Sequence, residues 1–96
     1  MAGESTEAHR ASLEIRNRLG LHARAAKLFV DTANAFDAEV TVAKDGQVVN
    51  GRSIMGVMML AAEQGSSIDV TTQGRQAAEA LQAIRELVEA WFHETS

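Results

Sequence analysis

The chain has 96 residues without cysteine or proline, of which 46% are hydrophobic and 23% charged. These values are typical of one small globular domain, and the lack of cysteine excludes disulfides and thiolate metal sites. The net charge of −4 argues against nucleic-acid binding, and no apolar run is long enough to cross a membrane. We therefore expect a cytoplasmic protein that binds no metal or cofactor and does not insert into membranes.

The first part of the chain predicts a strand followed by a helix. Residues 1–10 are polar and aperiodic, which predicts a disordered or frayed extension, and we expect residues 11–93 to form a single domain. Leu13 and Ile15 alternate with polar residues, as in a strand with one buried face. After a glycine loop, apolar residues recur at helical spacing and predict an amphipathic helix over about 23–35.

The middle of the chain predicts a hairpin and a shorter helix. Residues 39–43 alternate again, Asp45-Gly46 has the composition of a hairpin turn, and residues 47–50 form the returning strand. Ser53 is suited to cap a second helix, for which Gly65 is a plausible end.

The last part of the chain predicts a fourth strand and a third helix. Residues 67–72 alternate, and Gly74 turns the chain into a long helix. The apolar stripe of this helix consists of Ala77, Leu81, Ile84, Val88 and Trp91. The order βαββαβα predicts an α+β fold, a two-layer open-faced sandwich with three helices on one face of a four-stranded antiparallel sheet. We expect the first two strands to be parallel and the last strand to lie between them.

One histidine stands at a chemically unusual position. His22 follows the Gly20 loop and opens the first predicted helix, where backbone N–H groups lack internal partners and carry partial positive charge. The amides of Ala23, Arg24 and Ala25 are candidates for binding an anion, and the Arg24 guanidinium adds a fork that matches phosphate. A histidine that carries a phosphoryl group fits this pattern, although a surface histidine or a simple helix cap would fit it as well.

The second predicted helix offers a modification site. Ser53 as an N-cap needs no function to explain it. If Ser53 were phosphorylated, the added charge would lie at a helix N-terminus and stabilise the helix, so the effect would be felt by partners.

The same helix offers a candidate docking surface. Helical spacing directs Val57, Leu60 and Ala61 inward. The same spacing leaves three residues on a more exposed flank of the helix: Ile54, Met55 and Met58. Methionines suit surfaces that accept several partners, although a methionine stripe also suits a core, and the pattern does not decide for Met59. We expect Gly56 to permit close approach of another backbone or element.

Two motifs in this order resemble the HPr family, the histidine-containing phosphocarriers of the bacterial phosphoenolpyruvate-dependent phosphotransferase system. The motifs are Gly-Leu-His-Ala-Arg at 20–24, followed by Phe29-Val30, and Gly-Arg-Ser-Ile-Met-Gly-Val-Met at 51–58. The resemblance covers about residues 12–92, including the separation of the motifs and the order of elements. Family members share the βαββαβα open-faced sandwich that the residue patterns also predict.

The resemblance implies a role for several residues and a set of partners. His22 matches the histidine that enzyme I phosphorylates on Nδ1, and Arg24 matches the arginine that steadies the phosphoryl group. Ser53 matches the serine that an HPr kinase/phosphorylase modifies in many bacteria. Enzyme I and enzyme IIA domains are the implied partners, and a monomer is the expected state. Ala25 departs from the family, because many members have proline there.

Two other classes of function compete with the phosphocarrier. A regulatory binding module of the phosphotransferase system would act through Ser53 and the second helix without relaying phosphate. Such modules tend to lack the active histidine, whereas His22 and Arg24 are both present. A stand-alone enzyme is disfavoured because the chain has no P-loop, metal-ligand cluster or nucleophile–base pair. The motifs do not separate a sugar-transport branch from a regulatory, nitrogen-type branch.

Overall fold

The computed structural model describes residues 7–96. The chain folds into one antiparallel sheet that is covered on one face by helices. The strands β1 to β4 span His9–Glu14, Glu39–Lys44, Gln47–Asn50 and Ser67–Gln73. The helices α1 to α3 span Ala23–Asn34, Ile54–Met59 and Ala77–Glu89. A short 3-10 turn at Trp91–His93 follows α3. The predicted βαββαβα order and fold class are confirmed.

The strand order in the sheet is β1-β4-β2-β3. Leu13 of β1 lies opposite Ile68 of β4, and Val42 of β2 lies opposite Val70 of β4. Because β1 and β2 are both antiparallel to β4, they run parallel to each other with β4 between them. The predicted insertion of the last strand is therefore confirmed.

The core lies between the sheet and the helices. In β2, Val40 and Val42 are buried while Glu39 and Thr41 are exposed, so the alternation in the sequence marks one buried and one open face. Helix α1 packs against α2 and α3, and α3 packs against β1 and β4. The largest fully buried side chains include Phe29, Ile68, Ile84 and Phe92.

The hairpin between β2 and β3 has the predicted two-residue turn. Asp45 and Gly46 have φ of 52° and 83°, and Lys44 pairs with Gln47 across the strands. Positive φ at both turn residues is the type I′ geometry that follows the right-handed twist of the strands. The Asp-Gly signal in the sequence therefore located the turn correctly.

Strand β1 begins earlier than the residue pattern predicted. His9 and Arg10, which the sequence placed in the N-terminal extension, pair with Thr72 and Thr71 of β4. These polar residues join the strand because its backbone hydrogen bonds do not require an apolar side chain. The rest of the predicted extension, residues 1–6, lies outside the described residues.

Helix α2 is shorter than predicted. It ends at Met59, and Ala61 takes a left-handed φ of 49°, which leaves its side chain exposed rather than buried. The next residue, Ala62, is buried, and its carbonyl accepts the Leu21 amide at 2.9 Å. The left-handed residue Ala61 ends the helical path, and the segment after it contacts the loop before α1. The expected end at Gly65 and the inward position of Ala61 were therefore wrong.

Helix α3 also ends before Trp91, the last residue of its predicted apolar stripe. The helix stops at Glu89, and Trp91 is 37% exposed, whereas Phe92 is fully buried. Trp91 and Phe92 both have positive φ, which turns the chain out of the helix. The apolar residue that completes the core is thus Phe92 rather than Trp91.

Candidate functional site

The loop before α1 is fixed by close backbone contacts. Gly20 has a φ of +66°, and a Cβ atom built on it would lie 2.3 Å from the carbonyl oxygen of Ala62. The Gly20 amide donates to the carbonyl of Asn17 at 3.1 Å. Only glycine combines this backbone conformation with such a close approach. The loop therefore delivers the next two residues, Leu21 and His22, at a defined place.

His22 is the N-cap residue of α1. Its backbone is extended, with φ of −71° and ψ of 178°, and its Nδ1 atom accepts a hydrogen bond from the Arg24 amide at 3.3 Å. The side chain takes the place of the serine or aspartate that usually caps a helix. Its ring is 27% exposed. Nδ1 therefore faces the Arg24 amide in the first turn of α1 while the ring stays partly accessible.

Arg24 brings its guanidinium back to the same site. Its Nη1 donates to the carbonyl of Phe92 and to Oε2 of Glu94, each at 3.1 Å. The side chain of Arg24 is 53% exposed, so it can reorient toward a new anion. The amides of Ala23 and Ala25 belong to the same first turn, where a helix offers them no carbonyl partner. The structure thus places the His22 ring and the Arg24 amide and guanidinium at one helix start, in the turn to which Ala23 and Ala25 also belong.

The structure adds a carboxylate that the sequence analysis missed. Oε2 of Glu94 lies 2.5 Å from Nε2 of His22, and Oε1 accepts from Nδ2 of Asn17 at 3.0 Å. Glu94 lies one residue beyond the predicted domain and follows a turn, so no periodicity marked it.

Asn17 is the second missed residue. It is fully buried, and its Nδ2 also donates to the Gly20 carbonyl at 2.9 Å, which ties the carboxylate to the loop. The sequence signal that could have indicated Asn17 is its position between an apolar strand and a glycine loop.

The Glu94 carboxyl keeps its charge in this position. Burial raises its pKa, but hydrogen bonds from His22 and Asn17 and the charges of His22 and Arg24 together hold the pKa below its usual value. An ionised carboxylate can only accept hydrogen bonds. Near neutral pH, Glu94 therefore acts as an acceptor toward all three neighbours.

Ser53 is placed as the N-cap of α2. Its Oγ accepts a hydrogen bond from the Gly56 amide at 3.1 Å, and its side chain is half-buried. A Cβ atom on Gly56 would lie 3.2 Å from the carbonyl oxygen of Asn50. Gly56 thus allows α2 to approach the end of β3, which accounts for glycine at this position within the fold itself.

An apolar surface lies on α2. We call Ile54, Met55 and Met58 the α2 patch; their side chains are 41–73% exposed, while Val57 and Leu60 are buried as predicted. Met59, which the sequence left undecided, is 65% exposed and enlarges this surface. Helix α2 therefore exposes four apolar residues, which makes it a candidate interaction surface.

The described residues contain neither a metal-ligand cluster nor a membrane span. In residues 7–96, no three histidine, cysteine, aspartate or glutamate side chains are grouped so that they could hold a metal ion. No helix in that same part of the chain is long and apolar enough to cross a membrane. His9 lies in β1, and His93 lines a shallow cleft beside His22 and Glu94.

Comparison with known proteins identifies the family. A family model described as the PTS HPr component phosphorylation site matches residues 9–90. The phosphocarrier protein HPr of Neisseria meningitidis serogroup A is 51% identical over 83 residues, which cover 86% of this chain and 93% of that protein.

Solved structures agree with this relationship. The crystal structure of HPr from Thermoanaerobacter tengcongensis matches with a TM-score of 0.89 at 41% identity, covering 92% of this chain and 99% of that one. A dimer of HPr from the same organism matches with a TM-score of 0.73 at 44% identity, covering 85% and 94% of the two chains. The chain therefore belongs to the HPr family of phosphocarrier proteins of the phosphotransferase system.

Proposed function

We propose that this chain accepts a phosphoryl group from phospho-enzyme I on His22 and passes it to enzyme IIA-type acceptors. The observation that carries this proposal is the position of the His22 ring, whose Nδ1 faces the first turn of α1 beside the Arg24 amide. A dianionic group on Nδ1 would meet the amides and guanidinium that the helix start already presents there.

The transfer needs a nucleophile and hydrogen-bond donors that stabilise the bound phosphoryl group. The lone pair of Nδ1 attacks phosphorus, the bond from phosphorus to the nitrogen of the donor histidine breaks, and its electron pair returns to that nitrogen. The oxygens of the bound group then take hydrogen bonds from the amides of Ala23 and Ala25 and from Arg24. On this proposal the chain is a carrier rather than an enzyme and has no turnover without its partners.

The α2 patch is the proposed docking surface for these partners, with Gly56 keeping α2 close to β3. Methionine side chains adapt to differently shaped surfaces, as a carrier with a donor and several acceptors requires.

Ser53, at the start of the same helix, is the proposed site of regulation by an HPr kinase/phosphorylase. A phosphate there would place charge and bulk next to the α2 patch without unfolding α2.

The proposal also covers the oligomeric state of the chain and its cellular compartment. We propose that the chain works as a monomer in the cytoplasm, since one face must meet several partners in turn. Because one of the related structures is an HPr dimer, the mass in solution should be measured by light scattering at working concentration. A monomer mass is expected, and a stable dimer would contradict this part of the proposal.

The test is phosphorylation by phosphoenolpyruvate and a related, active enzyme I, followed by addition of an enzyme IIA domain. The wild-type chain and H9A, a matched control in β1, should each take up one acid-labile phosphoryl group and lose it to the acceptor. H22A should take up none. Failure of the wild type to be labelled would contradict the carrier role and favour a regulatory module that acts through Ser53.

A further inference from the structure

All the sulfur in the described part of the chain lies on one short helix. The chain has four methionines and no cysteine. Apart from Met1, which lies outside the described residues, the methionines are Met55, Met58 and Met59 of α2. We call these three residues the α2 methionines. Spacings of three and four residues place them on one face of the helix, which therefore carries three thioether groups.

The α2 methionines are open to solvent. Met55, Met58 and Met59 are 73%, 41% and 65% exposed, although methionine is among the residue types most often buried. A dissolved oxidant can therefore reach them without any opening of the fold. Among the described residues, the hydrophobic core consists of aliphatic and aromatic side chains and contains no methionine. An oxidant that attacks methionine thus changes the surface of α2 and leaves the core as it is.

Oxidation of methionine changes the character of such a surface. A lone pair of the thioether sulfur attacks one oxygen of hydrogen peroxide, the O–O bond breaks, and the leaving hydroxide takes the proton of the transferred hydroxyl to become water. Sulfur loses two electrons and the peroxide gains them, so no further reactant is needed. The product is a polar, chiral sulfoxide in place of an apolar, adaptable thioether. In this chain no thiol competes for the oxidant, because cysteine is absent.

We propose that the α2 methionines are an oxidation site, through which a peroxide weakens the docking of this chain on its phosphotransfer partners. This inference rests on the proposed function, in which Met55 and Met58 belong to the α2 patch. A partner that covers the patch must remove water from the sulfoxide oxygen, and this is unfavourable unless the partner supplies a hydrogen-bond donor. Oxidation therefore opposes docking, while the side chains of His22 and Arg24 keep their chemistry.

The same exposure makes the change reversible. Each sulfoxide oxygen stays in water in the free chain, because the α2 methionines are exposed before any partner binds. The folded state therefore survives, and methionine sulfoxide reductases, each specific for one epimer, can reach the oxidised side chains. Oxidation at these positions acts as a switch on docking rather than as damage to the fold.

The experiment treats the chain with hydrogen peroxide, removes the peroxide, and measures phosphoryl transfer from phospho-enzyme I and onward to an enzyme IIA domain. Peptide mass spectrometry locates the added oxygen on the α2 methionines. The KM for the oxidised chain should rise by about tenfold or more, because an unpaired polar group buried in an interface costs at least that much affinity. Both methionine sulfoxide reductases with a dithiol should return KM to its starting value.

The matched control is M55L/M58L/M59L, which keeps the apolar bulk of the three side chains and removes their sulfur. Each chain is compared with its own untreated sample, so that any effect of leucine on docking cancels. Peroxide should leave the KM of this variant unchanged. Because the variant retains Met1, an equal rise of KM in both chains would place the effect outside α2 and overturn the inference.

The remaining outcomes separate this inference from the proposed function. An unchanged KM of the oxidised wild type would overturn the inference, while transfer by the untreated chain would still support the carrier function. A lower midpoint of urea unfolding after oxidation would also contradict it, because a core without methionine should be unaffected. If the untreated chain takes up no phosphoryl group from an active enzyme I, the proposed function fails, and the role of the α2 methionines in docking fails with it.

Discussion

Replacement of Gly20 by alanine tests whether the loop before His22 depends on one close contact. The φ of +66° costs an alanine about 1–2 kcal/mol. Its Cβ would also lie 2.3 Å from the Ala62 carbonyl oxygen, which cannot retreat freely because it accepts the Leu21 amide at 2.9 Å. Overpacking of this kind costs about 1–3 kcal/mol more. The sum predicts that G20A lowers the free energy of unfolding by about 2–5 kcal/mol.

The matched control is G46A in the β2–β3 hairpin. Gly46 has a φ of +83° but no atom within 4 Å of the position of a Cβ, so G46A should lose only the conformational part, about 1–2 kcal/mol. Urea unfolding followed by the fluorescence of Trp91, the only tryptophan, gives both values. Equal losses in G20A and G46A would refute the contact with Ala62 as the reason for glycine in this loop.

Three further predictions concern the caps, the core and the Glu94 carboxylate. S53A should lose about 1 kcal/mol of unfolding free energy through the missing cap of α2, while S53D should keep most of it; equal stability of S53A and the wild type would contradict the capping role. F92A should lose about 3–5 kcal/mol, and F92L about 1.5 kcal/mol or less, both by urea unfolding. The pKa of Glu94 in the folded chain lies below its ordinary value of 4.5. The wild type should therefore be more stable than E94Q above pH 4.5, and this difference in unfolding free energy should vanish as the pH falls through the lower, folded pKa. A difference independent of pH would contradict this.

The fold could be predicted because each layer has its own period in the sequence. Val40 and Val42 alternate with polar residues, and the α1 stripe repeats at helical spacing, so burial follows directly from the pattern. The Asp45-Gly46 turn was found because its residue types match the backbone geometry. The ends of α2 and α3 were not found, because they depend on Ala61 and Trp91 taking left-handed conformations, which tertiary contacts impose and local propensity does not favour.

The site divides in the same way. His22 and Arg24 lie two residues apart at a helix start, so local spacing alone placed them together. Asn17 and Glu94 are 77 residues apart in the chain, and their hydrogen bond depends on the turn after α3. No sequence period connects such residues, and Glu94 reaches the site through the buried Phe92 and its contacts with Asn17, His22 and Arg24. His22 and Arg24, which local structure brings together, could therefore be predicted, whereas the long-range contact of Asn17 with Glu94 could not.

The central claim is that His22 carries the phosphoryl group on Nδ1. The most direct measurement is ³¹P and ¹⁵N NMR of the ¹⁵N-labelled chain after reaction with phosphoenolpyruvate and enzyme I. The account predicts one phosphoramidate, bonded to Nδ1 of His22 and lost in acid. A phosphoryl group on Nε2, on His93 or on Ser53, or no modification by an active enzyme I, would contradict it.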